Sequence, residues 1–265
     1  MQPHPTSISD LPAYRGLCRR AADDAAAFNA FRSDPTYAFI VETAAPETGR
    51  DYGAIALETV PSYRAALDEF RRNDGIGGPP LVRYPEFGVF APTTLRYIKQ
   101  AADIERHFPA LHGKRVVEIG AGYGGLCRIL STRFVDMEFH IFDLPEALAL
   151  AERYLGLLGV RGVRFHSGFD PIALADVDLV ISSYAFSELN RSEQDRYLAG
   201  VMGAAHAGFV HYGNVVETGP ERSHSVAAIR DRIPGATIND PRFRLGAMDL
   251  HCGVSLITWG CVTAP

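Results

Sequence analysis

Residues 116–126 read Val-Val-Glu-Ile-Gly-Ala-Gly-Tyr-Gly-Gly-Leu, an apolar strand that runs into a glycine-rich turn. After the turn, Leu126, Ile129 and Leu130 recur at the spacing of one helix face. The backbone N–H groups that open such a helix can close on a small ligand, and glycines let the chain approach it closely. We therefore predict a strand–loop–helix unit that binds a cofactor, because four glycines beside an acid are unusual in a turn without a ligand.

The loop fits two classes of cofactor. Gly120, Gly122 and Gly125 spell G-x-G-x-x-G, the dinucleotide pattern, which is a weak signal when it stands alone. Glu118 lies two residues before the first glycine, where its carboxylate would repel a pyrophosphate but can pair with the ammonium group of S-adenosylmethionine. The acid therefore favours S-adenosylmethionine over NAD.

The composition points to a small-molecule partner. The chain has 265 residues and a formal net charge of −5, without a block of like charges that would favour nucleic acid or an anionic membrane. The first ten residues are polar, and no apolar run reaches membrane-spanning length. The four cysteines are scattered, as in reduced cytoplasmic proteins: Cys18, Cys127, Cys252 and Cys261. We expect a soluble, cytoplasmic protein.

The two parts of the chain differ in pattern. Residues 1–110 lack strand–helix alternation and predict a helical N-terminal extension, which would serve as a lid or as the contact of a homodimer. Within it, residues 73–80 (Asn-Asp-Gly-Ile-Gly-Gly-Pro-Pro) predict a flexible connection. Residues 111–265 alternate strand and helix, which predicts an α/β domain with a doubly wound, mostly parallel sheet and an antiparallel last strand.

The second strand of this domain, residues 138–142, is followed by Asp143. The carboxyl ends of parallel strands share one edge of a sheet, so Asp143 should lie near the glycine loop. A carboxylate there is placed to accept both hydroxyls of an adenosine ribose, which serves NAD and S-adenosylmethionine alike. It could at the same time cap the helix that begins near Pro145.

Four stretches together resemble one family, the sugar O-methyltransferases associated with glycosylated natural products and surface saccharides. They fall within residues 80–262 and are 92–98 (Pro-Thr-Thr-Leu-Arg-Tyr-Ile), 117–125 (Val-Glu-Ile-Gly-Ala-Gly-Tyr-Gly-Gly), 141–146 (Ile-Phe-Asp-Leu-Pro-Glu) and 183–190 (Ser-Tyr-Ala-Phe-Ser-Glu-Leu-Asn). The chain departs from the family at Ala121, where a glycine is common, and at Ser183, where an asparagine is common. The resemblance implies a class I methyltransferase with a Rossmann-like fold, which transfers a methyl group from S-adenosylmethionine to a hydroxyl of a sugar or glycosylated natural product.

The methyltransferase arrangement also implies the rest of the cofactor site. The turn after the third strand passes the adenine, so Phe169 would cover the ring and Asp170 would accept from its amino group. The turn after the fourth strand, residues 182–184, opens the crevice. The predicted cofactor site comprises Glu118, Gly120, Ala121, Gly122, Tyr123, Asp143, Leu144, Gly168, Phe169, Asp170, Ser182, Ser183 and Tyr184.

Methylation of a sugar hydroxyl needs a proton acceptor at the carboxyl edge of the sheet. Glu188 is the first candidate for this catalytic base, because it follows the fourth strand by a few residues. His224, which follows the fifth strand, is the second candidate, and His211 and His251 come third.

A divalent metal is the other means of acidifying a hydroxyl. Glu188, Asn214 and Glu217 could supply oxygen ligands, but no ligand spacing in the sequence requires a metal, and we predict none.

Three other functions stay open. The acceptor could be a non-sugar hydroxyl, such as that of a polyketide or a phenol. An NAD-dependent oxidoreductase is disfavoured by Glu118 and by the lack of a Tyr-x-x-x-Lys pair, since the only lysines, Lys99 and Lys114, precede the loop. A non-catalytic S-adenosylmethionine-binding protein would be favoured if every candidate base proved remote from the methyl group.

Overall fold

The computed structural model describes residues 7, 9–108, 110–167, 174, 176–213 and 223–261. The described part of the N-terminal extension is helical, with a short antiparallel hairpin near its end. Its elements are α1 (Pro12–Asp23), α2 (Ala25–Ala30), α3 (Pro35–Ile40), α4 (Pro46–Thr59), α5 (Tyr63–Arg71), 3₁₀ turns at Phe31–Ser33 and Arg72–Gly75, β1 (Val82–Tyr84), β2 (Gly88–Phe90) and α6 (Pro92–His107).

A seven-stranded sheet follows the extension. Its strands are β3 (Arg115–Ile119), β4 (Glu138–Asp143), β5 (Val163–Ser167), β6 (Val177–Ser183), β7 (Ala205–Tyr212), β8 (Thr237–Ile238) and β9 (Ser255–Trp259). They lie in the order β5-β4-β3-β6-β7-β9-β8. The helices between them are α7 (Gly125–Arg133), α8 (Pro145–Leu157), α9 (Ala185–Glu188), α10 (Arg191–Ala199), α11 (Val226–Arg230) and α12 (Ala247–His251). Strands β3 to β7 pair in parallel and β9 runs antiparallel to its neighbours, which confirms the predicted fold class.

The centre of the sheet is buried on both faces. Val116 and Val117 on β3, and Leu179, Val180 and Ile181 on β6, are fully buried, as the apolar runs of a parallel sheet require. Strand β4 lies on one side of β3 and β6 on the other, so the direction of winding reverses between β3 and β6. A crevice opens at the carboxyl ends of strands at such a switch point.

The helical extension packs directly on the sheet domain. Tyr14 and Phe31 from the extension share one hydrophobic core with Leu126 of α7 and Leu150 of α8. Helix α1 lies against α8, where Arg19 forms an ion pair of 2.8 Å with Glu146. This packing brings residues of the extension to the edge where the crevice opens.

The segment predicted as a flexible connection is fixed at its start. Asn73 and Asp74 are buried, and their side chains are hydrogen-bonded. Asn73 Nδ2 donates to the Gly125 carbonyl at 3.0 Å, and Asp74 Oδ2 accepts from the Ala91 N–H at 2.9 Å. The same Asp74 carboxylate accepts from Thr94 Oγ1 at 2.6 Å. Turn-forming residues are thus used here for buried hydrogen bonds that tie the extension to the glycine loop.

Within the described ranges, no helix combines the length and apolarity needed to span a membrane.

Candidate cofactor and active site

The glycine loop joins β3 to α7 with backbone angles that side chains rarely adopt. Gly120 and Gly122 have φ of +74° and +57°. A Cβ on Gly120 would lie only 2.0 Å from Ala185 Cβ, on the turn after β6. Glycine is therefore required for two reasons, the left-handed backbone and the close approach of the neighbouring turn.

A cavity of about 340 Å³ lies over this loop, at the carboxyl ends of β3, β4 and β6. It brings together eight of the predicted site residues. They are Glu118, Gly120, Ala121, Gly122, Asp143, Ser183, Tyr184 and Glu188.

Three predicted cofactor residues do not line this cavity. Tyr123 is fully buried beneath the loop, with the guanidinium carbon of Arg32 4.7 Å from its ring centroid. Ser182 is buried, and its Oγ donates a hydrogen bond to the Ile119 carbonyl at 2.9 Å. Leu144 contributes its backbone N–H to the Asp143 side chain at 2.7 Å. Gly168, Phe169 and Asp170, the predicted adenine contacts, lie outside the described residues.

Asp143 organises the loop at the end of β4. Its Oδ2 accepts from the Gly122 N–H at 2.9 Å and its Oδ1 from the Leu144 N–H, and burial raises the pKa of the carboxyl to about 6. Hydrogen bonds from the backbone N–H groups of Leu144, Gly122 and Ala121 oppose this rise. A carboxylate offers about four lone-pair sites, so it could still accept a ribose hydroxyl. The N-cap residue of α8 is Leu144 and no side chain caps the helix, so the predicted capping role of Asp143 is wrong, and its bond to the Leu144 N–H lies one residue before the first turn.

Glu118 is a buried acid at the end of β3. Its residue is 2 % exposed, and Oε2 has no hydrogen-bond partner among the described residues. Burial, and then the negative charge of Asp143, raise the pKa of Glu118 to about 8. A buried, unpaired carboxylate is costly, so this group fits a site completed by a cationic ligand group.

Glu188, the first candidate base, lies on the cavity wall at the end of α9. Burial raises the pKa of its carboxyl, and the charge of Asp143 acts in the same direction. Hydrogen bonds from Ser9 and Ser7 of the extension partly oppose this rise. A carboxylate with a raised pKa is better matched to accepting a proton near neutral pH.

The candidate histidines are placed differently. His224 Nε2 lies 2.7 Å from Asp195 Oδ1 and 3.1 Å from Arg232 Nη1, and His224 is not part of the cavity wall formed by described residues. His211 is buried, which holds its pKa well below the usual value, and its Nδ1 lies 3.5 Å from Gln100. His251, the last residue of α12, is exposed.

Asn214 and Glu217, considered as metal ligands, fall outside the described ranges. In the part of the chain that the structure describes, no group of three or more His, Cys, Asp or Glu side chains could hold a metal ion.

Two residues of the candidate site were not predicted from the sequence. Arg96, in α6, lines the cavity with its side chain largely buried. Asp249, in α12, is buried, and its Oδ1 accepts from the hydroxyls of both Tyr52 and Tyr184 at 2.8 Å. Tyr184 itself has a φ of +72°, an unusual angle for a non-glycine residue that is often found at functional sites. The one signal for Arg96 was its place in the family-like stretch 92–98.

Comparison with known proteins gives similarities of fold. No family model and no curated protein matches the chain. A protein assigned as a sarcosine dimethylglycine methyltransferase from Galdieria sulphuraria is 16% identical with a TM-score of 0.47, over 56% of this chain and 64% of that one. This chain therefore spans slightly less than two thirds of that protein's length.

Two further solved structures illustrate the range. A TehB-like SAM-dependent methyltransferase from Corynebacterium glutamicum is 15% identical with a TM-score of 0.47, over 76% of this chain and 100% of that one. The mitomycin 7-O-methyltransferase MmcR is 14% identical with a TM-score of 0.46, over 97% and 73%. These are methyltransferases by their descriptions, and the chemistry of the present site has to be read from its own residues.

The sheet order, the antiparallel last strand and the glycine loop at the switch point together form a Rossmann-like, doubly wound fold.

Proposed function

We propose that the protein is an S-adenosylmethionine-dependent O-methyltransferase that methylates a hydroxyl of a sugar or glycosylated small molecule. The observation that carries the proposal is the buried, unpaired Glu118 in a cavity that also contains Asp143, beside a glycine loop. These groups match the ammonium and the ribose of the cofactor. The sugar acceptor rests on the four family-like stretches.

The residues of the chain would divide the work as follows. Asp143 would accept the ribose hydroxyls, and Glu118 would pair with the ammonium group. The bound cofactor would supply an electrophilic methyl group and a neutral thioether leaving group. Glu188 would take the acceptor's hydroxyl proton as the new oxygen–carbon bond forms, and the cavity walls would align the acceptor and exclude water.

An acceptor without a sugar is the second candidate. The side chains of Ile40, Val41 and Val254 give the cavity an aliphatic wall, which would suit a polyketide or a phenol. An NAD-dependent oxidoreductase fits less well, because Glu118 and Asp143 would place two carboxylates beside a diphosphate.

Titration calorimetry tests the cofactor. The wild type should bind S-adenosylmethionine and not NAD, and Asp143→Ala should lose most of that affinity, because the ribose and the glycine loop both depend on this carboxylate. Asp68→Ala, which removes a carboxylate that is 91% exposed, is the matched control and should bind normally. Tight binding of NAD without binding of S-adenosylmethionine would overturn the proposal.

The acceptor class can be tested with a panel of methyl and nitrophenyl glycosides on one side and phenols on the other. Release of S-adenosylhomocysteine is the readout. Turnover of glycosides supports the sugar assignment, whereas turnover of phenols alone would replace it with the second candidate.

A further inference from the structure

Arg96 presents an incompletely used guanidinium to the cavity. Its Nη1 donates to Thr43 Oγ1 and its Nη2 to the Val41 carbonyl, both at 2.9 Å. The residue is only 8 % exposed, and Nε has no hydrogen-bond partner among the residues that the structure describes. Donor capacity therefore remains for a ligand in the cavity that Arg96 lines.

The positive charge of Arg96 also has no ion-pair partner in the described part of the chain. A guanidinium is always protonated, and no ion pair within the described ranges involves Arg96. Glu42 acts on Arg96 electrostatically, but its carboxylate accepts from Arg32 Nε at 2.5 Å. A buried cation with neutral partners is costly, and an anionic ligand would remove that cost.

The guanidinium is held in place before any ligand arrives. Its carbon lies 5.2 Å from the ring centroid of Tyr184 and 5.7 Å from that of Tyr97. The hydroxyl of Tyr184 is in turn fixed by Asp249. Such a preorganised fork loses little entropy when it binds a planar anion such as a carboxylate.

Glu118 faces the same cavity and is likewise buried, and its Oε2 has no hydrogen-bond partner among the described residues. An ammonium group beside this acid would ionise it. A guanidinium and an acid that ionises beside an ammonium group, in a single cavity, complement a zwitterion. We propose that Arg96 binds the α-carboxylate of the methionine part of S-adenosylmethionine, while Glu118 binds its α-ammonium group. This inference rests on the proposed function, since the cofactor supplies the zwitterion.

Two ligands that differ only in the carboxylate provide the test. S-adenosylmethionine and decarboxylated S-adenosylmethionine are titrated into the wild type, Arg96→Met and Arg96→Lys. In the wild type, we expect the carboxylate to improve affinity about 100-fold, as for a charged pair in a desolvated site. In Arg96→Met the two ligands should bind equally, and Arg96→Lys should be intermediate because it keeps the charge and loses the fork.

Glu118→Gln is the matched control, because both ligands keep the ammonium group. It should weaken both ligands by the same factor and leave the 100-fold preference for the carboxylate intact. The proposal is supported if Arg96→Met loses the preference for S-adenosylmethionine over the decarboxylated ligand and Glu118→Gln retains it.

Other outcomes would overturn it. If Arg96→Met still prefers S-adenosylmethionine over the decarboxylated ligand, the guanidinium does not bind the cofactor's carboxylate and this inference fails. The proposed function would stand, and Arg96 could bind a carboxylate of the acceptor instead. If Arg96→Met weakens both ligands equally, its role is structural. If the wild type binds neither ligand, the proposed function and this inference both fail.

Discussion

Replacement of Glu118 by glutamine should stabilise the unliganded protein in a pH-dependent way. The pKa of about 8 in the folded protein, against an ordinary 4.5, means that the folded state holds a proton that the unfolded chain releases. The free energy of unfolding should therefore fall as the pH rises from about 4.5 to about 8 and level off above that range. At pH 7 this loss is on the order of 3 kcal/mol, and a neutral glutamine avoids it.

Urea unfolding followed by circular dichroism at pH 5, 6, 7 and 8 measures the effect. Because Asp143, with a pKa of about 6, also titrates in this range, the informative quantity is the difference between wild type and Glu118→Gln. That difference should be near zero below pH 4.5 and grow to its full size by pH 8. Glu58→Gln, which changes a carboxylate that is 65% exposed, is the control and should show no such growth.

Cofactor binding should reverse the same protonation. An ammonium group beside Glu118 favours the carboxylate, so S-adenosylmethionine should displace a proton that most wild-type molecules carry at pH 7. Calorimetry in two buffers of different ionisation enthalpy should detect this release in the wild type and not in Glu118→Gln. A pH-independent stability difference, together with binding that releases no proton, would refute the reasoning that Glu118 is a buried acid awaiting a cation.

Two further substitutions test the catalytic base and the loop. Glu188→Gln should leave the affinity for S-adenosylmethionine unchanged and lower turnover of an active glycoside by a factor of about 10² to 10⁴, whereas His224→Gln, outside the cavity wall, should retain turnover. Equal turnover in wild type and Glu188→Gln would remove Glu188 from the chemistry. Gly120→Ala should destabilise the protein by about 3 kcal/mol in urea unfolding, because the new Cβ meets Ala185 at a left-handed φ. Gly113→Ala has a similar φ of +69° with no atom within 4 Å, so it should cost only about 1 kcal/mol, and equal losses for the two variants would contradict the steric argument.

The parts of the site that could be predicted from the sequence are those formed by contiguous residues. The strand, the glycine turn and the helix after it form one local unit, so Glu118 and Gly120 could be placed from their spacing alone. Asp143 was also predictable, because a parallel strand that pairs with β3 must end at the same edge.

Adjacency in sequence was misleading within the tight turns. Tyr123 belongs to the loop, but its side chain points beneath it toward Arg32 rather than into the cavity. Ser182 precedes two residues that do line the cavity, yet its hydroxyl is bonded to Ile119 across the sheet. Successive side chains diverge at the end of a strand, and a motif does not state which of them faces the ligand.

Arg96 and Asp249 depend on contacts that no local pattern contains. Asp249 bonds to Tyr184 and Tyr52, which are 65 and 197 residues away in the sequence. No local pattern around an acid in such a short helix indicates these partners. Arg96 lies on α6, where most residues are buried, and the sequence marks it only as part of the family-like stretch 92–98. Its significance comes from the lack of an ion-pairing acid among the described residues around it, which only the three-dimensional structure shows.

The helical extension takes part in the same site. Both terminal nitrogens of Arg96 are anchored by residues of the extension, Val41 and Thr43, and the guanidinium of Arg32 supports Tyr123 under the glycine loop. If Arg96 binds the cofactor carboxylate, these anchors set the position of the methionine end, and with it the direction in which the methyl group is presented. The region that the sequence left as a lid or a dimer contact would then help to select which hydroxyl of the acceptor is methylated.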